Sequence, residues 1–226
     1  MVNVYYFSGF GHCLQIADHC AERLGTQPIP IETADKNAER ILLVFPVYCQ
    51  NIPAPVVRFL KDTHSKYAAL IAAYGGISYG NVLREAQNIF SGTVVAAACF
   101  PTGHSYRKDE NIGDLNTLHP LLEKLESGTA GIEIPKAPKN IFANFAPALR
   151  SRIGVKLVRS ANCDGCNICA AQCPTGAIKN GTPGHRCIRC LRCVRCCPKG
   201  ALSFRIRPVL KRYLHRRTKD AIKPYL

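Results

Sequence analysis

Cys163-Asp-Gly-Cys166-Asn-Ile-Cys169-Ala-Ala-Gln-Cys173-Pro174 is followed after a short gap by Cys187-Ile-Arg-Cys190-Leu-Arg-Cys193-Val-Arg-Cys196-Cys197-Pro198. Two runs share one spacing, Cys-x2-Cys-x2-Cys-x3-Cys-Pro. Two-residue gaps let three successive sulfurs turn inward from one tight loop, and a cubane iron–sulfur cluster needs three such thiolates and a fourth from elsewhere. Disulfides are the weaker reading. Five cysteines between Cys187 and Cys197 are too crowded to pair among themselves without strain. Structural zinc also accepts four cysteines, but the doubled spacing with a proline after each run favours two cubanes.

The block resembles the bacterial two-[4Fe–4S] ferredoxins over about residues 160–206. That resemblance implies an exchange of the fourth ligand between runs. One cluster is then held by Cys163, Cys166, Cys169 and Cys197, and the other by Cys187, Cys190, Cys193 and Cys173. Cys196 breaks the three-residue gap and is expected to be a spare buried thiol.

Upstream, apolar strands alternate with helical patterns. Val2–Phe7, Ile41–Phe45, Ala68–Tyr74 and Val94–Phe100 read as strands. Leu14, Ala17, Ala21 and Leu24 recur at helical spacing, as do Leu115, Leu118, Leu121, Leu122 and Leu125, and Pro53–Lys61 and Val82–Phe90 also read as helices. Such alternation predicts an α/β fold, a parallel sheet covered on both faces. Residues 1–130 form this domain and 131–160, with Pro135, Pro138 and Pro147, a connector. Residues 161–206 form a small α+β cluster module, and 207–226 a basic tail.

The first strand runs into Ser8-Gly9-Phe10-Gly11-His12-Cys13 and then a helix. Small residues at a helix N-terminus offer backbone N–H groups to a phosphate. A dinucleotide fingerprint would need a third glycine where Leu14 stands. Tyr5-Tyr6-Phe7-Ser8-Gly9-Phe10-Gly11 looks instead like the start of a flavodoxin. Phe45-Pro46-Val47-Tyr48 and Ala73-Tyr74-Gly75-Gly76 look like the loops flanking a flavin ring. The resemblance implies a doubly wound sheet of order 2-1-3-4-5 with FMN at its carboxyl edge, touched by Ser8, Gly9, Phe10, Gly11, His12, Cys13, Pro46, Val47, Tyr48, Tyr74, Gly75 and Gly76. Tyr48, Tyr74, Tyr79 and Tyr106 are the candidate stacking aromatics. Phe10 and Cys13 stand where flavodoxins usually carry hydroxyls, so weaker FMN binding is expected. Cys13, Cys20, Cys49 and Cys99 are expected to be small buried hydrophobes.

As a whole, the chain resembles the flavodoxin–ferredoxin fusion proteins of anaerobes. That implies an electron-transfer protein relaying electrons among FMN, two [4Fe–4S] clusters and a redox partner. The alternatives are a flavin-dependent reductase fed by the clusters, and a redox-sensing or interaction protein with an empty flavodoxin fold. No Ser–His–acid set, Walker loop, helical zinc motif or Cys-x3-Cys-x2-Cys of radical enzymes is present in the 226 residues.

Charge divides along the same line. Residues 1–149 hold 12 Lys and Arg against 13 Asp and Glu, whereas residues 150–226 hold 18 against 2. Arg186, Arg189, Arg192 and Arg195 surround the second cysteine run. Arg205, Arg207, Lys211, Arg212, Arg216, Arg217, Lys219 and Lys223 crowd the tail, where Leu210, Tyr213 and Leu214 give a short helix an apolar face. An acidic redox partner protein is the expected complement. Nucleic acid is not expected, since no recognition motif accompanies the charge, and a membrane surface is the less favoured partner. No apolar run reaches the roughly 18 residues of a membrane span. The N-terminus has no basic segment or small-residue cleavage site, so the cytoplasm is the expected compartment.

Overall fold

The computed structural model describes residues 1–107, 109, 111–140, 143, 145, 147–215 and 221–226. Arg216, Arg217 and Lys219 of the tail lie outside the described residues. The elements run β1 (Val2–Tyr6), α1 (His12–Arg23), β2 (Pro28–Pro30), β3 (Arg40–Pro46), α2 (Ala54–Asp62), β4 (Tyr67–Tyr74), α3 (Val82–Ile89), β5 (Thr93–Pro101) and α4 (His119–Ser127). Then come α5 (Pro147–Gly154), β6 (Val155–Arg159), α6 (Ile168–Ala171), β7 (Ile178–Lys179), β8 (Thr182–Pro183), α7 (Arg192–Arg195), β9 (Leu202–Ile206), α8 (Pro208–Leu214) and β10 (Lys223–Tyr225).

Six strands make the main sheet in the order β10-β5-β4-β3-β1-β2. The five strands β2-β1-β3-β4-β5 are mutually parallel, and β10 is antiparallel to β5. Every residue of β4 is buried, because helices cover both faces. The period-two alternation of the strand divides its side chains between two cores. Ala69, Ile71 and Ala73 face α1 and α4, packing with Ile16, Cys20, Leu121 and Leu125. Ala68, Leu70 and Ala72 face α2 and α3, packing with Val56, Phe59, Val82 and Leu83. A bulge between Ala68 and Ala69 brings Val94 and Ala96 opposite consecutive residues, leaving Val95 unpaired.

Strand order reverses between β1 and β3. In open α/β sheets the crevice outside the carboxyl ends of the strands at such a switch point is where ligands bind. The loops after β1 and β3 therefore open on one place.

The smaller module is built on two antiparallel pairs, β6 with β9 and β7 with β8. Its first strand, β6, and the helix α5 before it lie in the segment expected to be a connector. The rest of that segment is tied to the sheet domain: Ile132 donates its backbone N–H to Val94, and Arg84 and Gln87 reach the carbonyls of Ile134 and Ile132. The tail is likewise more structured than a solvated extension. It forms α8, and β10 then pairs Lys223, Pro224 and Tyr225 with Cys99, Ala98 and Ala97. Among the described residues no helix is long and apolar enough to cross a membrane.

The β5 edge would expose a row of unpaired backbone groups without β10, and the Tyr74 hydroxyl would lose the Ala221 carbonyl it bonds at 3.1 Å. Deleting residues 221–226 should lower stability by about 1–3 kcal/mol, given roughly 1 kcal/mol for each net hydrogen bond. Urea unfolding measures it; an unchanged midpoint would show that β10 adds nothing to the sheet.

Candidate functional site

The two cysteine runs fold as copies offset by 24 residues, visible in the backbone as well as the sequence. Gly165 and Arg189 have φ of 77° and 56°, Asn167 and Leu191 58° and 66°, and Gly176 and Gly200 58° and 57°. Asn167 and Leu191 each precede a four-residue helix, α6 and α7. Those left-handed turns swing successive cysteines to one side.

The sulfurs gather in two small cavities. Cys163, Cys166, Cys169 and Cys197 line one; Cys173, Cys187, Cys190 and Cys193 line the other. Each cavity thus takes three cysteines from one run and one from the other. Among the described residues no three His, Cys, Asp or Glu side chains converge as on one metal ion.

Backbone amides point at the sulfur of each exchanged cysteine. Ala177 N–H donates to Cys173 Sγ at 3.2 Å, and Ala201 N–H to Cys197 Sγ at 3.3 Å. Burial opposes ionisation of Cys173, but the amides of Thr175, Ala177 and Ile178 hold its thiol below the ordinary value. Lys199, Ala201 and Leu202 do the same for Cys197. Both favour the thiolate, which is the ligating form. Cys196 lines neither cavity; its thiol turns to the Cys193 carbonyl at 3.8 Å.

The cluster module docks on the loop after β1. A Cβ at Gly9 would stand within van der Waals contact of the Cys190 carbonyl and 2.7 Å from the Tyr48 hydroxyl. Gly11, at φ 122°, would drive a Cβ into the Arg195 guanidinium. Arg195 donates to the Phe10 carbonyl. Arg192 donates Nε–H to the Ser8 carbonyl at 3.0 Å, pairs with Glu32 at 2.5 Å and lies over the Phe7 ring. Two of the four arginines expected to meet a partner thus bond within the molecule, Arg192 half-buried and Arg195 still exposed. A third, Arg189, donates Nε–H to the Val155 carbonyl at 3.0 Å.

Between the sheet edge and the docked module lies a cavity of about 530 Å³, within the roughly 300–1,000 Å³ typical of small-molecule sites. Ser8, Gly9, Phe10, Gly11, His12 and Cys13 line it, with Pro46, Val47, Tyr48, Gly75 and Tyr106. Tyr74, Gly76 and Tyr79 do not. Tyr74 points into the α2–α3 core, where it meets Tyr79 edge-on with ring centres 5.1 Å apart. Cys13, Cys20 and Cys99 are buried as expected, but Cys49 is exposed, on a left-handed turn with φ 52°.

His12 does not reach into open space. Its Nε2 lies 3.0 Å from the Asp109 carbonyl. Ser8 Oγ accepts the Gly11 N–H at 3.1 Å and so shapes the loop.

Two parts of the lining escaped sequence reasoning. One is Thr102, Gly103, His104 and Ser105 after β5, beside the expected Tyr106. His104 packs on Gly75, and its Nδ1 accepts the Tyr106 N–H at 3.3 Å. Burial, with Arg107 and His12 nearby, holds the His104 pKa down to about 4, against a small opposing pull from Asp109. The imidazole is neutral at pH 7. Its place at the carboxyl end of a parallel strand was the available signal. The other part comes from the second module: Ile188, Arg189, Cys190, Ser151, Leu210 and Tyr213. No sequence signal marks an approach between segments so distant.

Residues 158–179 match the family model of the 4Fe-4S binding domain. Comparison with curated proteins gave no match. The chain therefore joins an α/β domain with a parallel-dominated sheet to a C-terminal ferredoxin-type domain, and that domain gives it an iron–sulfur electron-transfer role.

Gly9→Ala should separate the β1 loop from Cys190. Overpacking of this kind costs about 1–3 kcal/mol. Urea unfolding of the cluster-loaded protein should show a lower midpoint, and an unchanged midpoint would mean that the two segments do not pack tightly.

Proposed function

We propose that the chain relays electrons between an FMN held in a flavodoxin-like domain, two [4Fe–4S] clusters and a redox partner protein. One observation carries the reading: Cys190 borders both a four-cysteine cavity and the ligand-sized cavity at the sheet switch point. A cluster and a flavin bound there would share a wall one residue thick. Short separation is what single-electron relay requires of a protein, and the cofactors themselves supply the redox chemistry.

Cys163, Cys166, Cys169 and Cys197 would hold one cluster, and Cys187, Cys190, Cys193 and Cys173 the other. The amides on Cys173 and Cys197 would tune the clusters, since hydrogen bonds to sulfur shift potentials. The parallel strand order β2-β1-β3-β4-β5 supports the flavodoxin-like reading. The residues around the larger cavity fit a flavin in kind. The β1 loop opens α1, whose N-terminus favours an anion. Tyr48 and Tyr106 bring aromatic side chains to the lining.

For the partner, exposed Arg186, Lys199, Arg205, Arg207, Lys211 and Arg212 remain after the internal arginines are set aside. An acidic protein fits that surface, through attraction that speeds encounter and weakens with salt.

Anaerobic purification should yield about eight iron and eight labile sulfide per chain; stoichiometric zinc without iron would sink the two-cluster reading. Cys197→Ala should cost a cluster while Cys196→Ala keeps both, and the reverse pattern would displace the ligand register. The electron-transfer rate to an acidic carrier should fall with ionic strength and in the Lys211→Glu/Arg212→Glu variant. A rate indifferent to both would reject docking at this surface.

A further inference from the structure

The cavity wall supplied by the cluster module carries an unanswered charge. Arg189 Nη1 is buried and has no hydrogen-bond partner among the described residues, while Arg189 as a whole lines the cavity. Its Nε–H is satisfied by Val155, so one edge of the guanidinium is anchored and the orphan nitrogen belongs to the other. Buried donors left unmade are costly, and a charged donor more so. The backbone adds a second oddity. Arg189 sits at φ 56°, where the matching position of the first run is Gly165 at φ 77°. A left-handed turn disfavours any side chain but glycine, by roughly 1–2 kcal/mol, so arginine is held here against local preference.

The rest of the lining agrees in sign. Among the described residues no Asp or Glu lines the cavity, and the Lys and Arg side chains that do are Arg58 and Arg189. Arg58 is exposed, which leaves Arg189 as the inner charge. The N-terminus of α1, twelve residues long, adds its positive end at the same cavity.

We infer that Arg189 meets the negative charge of an anionic cofactor in this cavity, so that the site is shared between the sheet domain and the loop carrying Cys187 and Cys190. The inference rests on reading the cavity as a cofactor site, but it specifies charge and the residue that answers it. It also joins two binding events. The loop bearing Arg189 is shaped around the second cysteine set, so losing that cluster removes the anion's partner. By linkage, anion binding then protects the cluster to the same degree.

The test titrates FMN and, separately, ADP onto anaerobically purified protein with its clusters intact, using wild type, Arg189→Gln and Arg189→Lys. Both substitutions keep an L side chain at the left-handed position and so leave the backbone strain alike. Iron content of each variant confirms an intact cluster loop. The expected result is at least about a tenfold weaker Kd in Arg189→Gln, the usual scale for a lost charge-assisted hydrogen bond, with Arg189→Lys within about threefold of wild type. FMN binding unchanged in Arg189→Gln overturns the inference and leaves the flavin reading standing. Arg189-dependent binding of ADP without FMN binding supports the inference and sinks the flavin reading. Failure of both anions to bind wild type overturns both. Cluster bleaching by ferricyanide, followed at 400 nm or so, should also slow with FMN present in wild type and not in Arg189→Gln.

Discussion

Gly9 has no side chain, and the Cys190 carbonyl lies where one would begin. Much of the architecture depends on that approach. It brings a cluster-binding loop onto the carboxyl edge of the main sheet, at the place where strand order reverses. It puts the Tyr48 hydroxyl, the β1 loop and the cluster wall within one small volume. A larger residue at position 9 would push the second module outward, and the cavity would lose the wall made by Ile188, Arg189 and Cys190. The close contact is made by backbone, so only glycine allows it. Arg192 and Arg195 then fasten the contact by donating to the Ser8 and Phe10 carbonyls.

This fastening changes the meaning of the basic charge. In the sequence, arginines every third residue around the second run form a uniform cationic face. In the fold they part. Arg189, Arg192 and Arg195 bond to Val155, Ser8, Glu32 and Phe10, Arg195 doing so from an exposed position, while Arg186 stays exposed as well. Spacing alone cannot show this, because α7 is a single short turn of four residues whose direction is set by the rest of the fold. The charges left outside include Lys199, Arg205, Arg207, Lys211 and Arg212. The Arg192–Glu32 pair is only partly exposed and sits at the seam between modules, where it fixes orientation more than it adds stability.

What could be read in advance follows from local rules. Continuous apolar runs such as Ala68–Tyr74 are buried on both faces, so they announced central parallel strands. The cysteine spacing announced a doubled loop, and the 24-residue repeat of backbone angles is its physical counterpart. What could not be read depends on pairing across long distances. Pro28-Ile29-Pro30 looks like a break in the chain, yet an edge strand tolerates proline where no ladder donor is needed, and it forms β2. Lys223-Pro224-Tyr225 likewise reads as tail and becomes β10. Val155–Arg159 lies among prolines and basic residues and becomes a strand only because β9 returns beside it. Tyr74 was legible in principle. Period-two alternation places it with Ala72 and Leu70, on the face opposite Ala73, and so turns it away from the cavity that Ala73 and Gly75 line.

The small module has little else to hold it. Among the described residues its buried cluster consists of Leu157, Ala177, Ile178, Leu191 and Leu202 together with Cys169, Cys187 and Cys193, with Val155 and Ala201 buried beside it. So few aliphatic side chains are a slight core for a unit of this length, and small domains commonly depend on metal or cross-links for that reason. Cys173 belongs with the second run and Cys197 with the first, so neither loop could close around its cavity without the other. The proposed ligation would then set an order of dependence that runs outward. Sulfur ligation would shape the loops, the second loop carries Cys190 against Gly9, and that contact closes the larger cavity. A protein built this way would not keep its sheet-edge site intact with the cysteine module loose. The state of that module would thereby be expressed in the shape of a cavity that belongs mostly to the other domain.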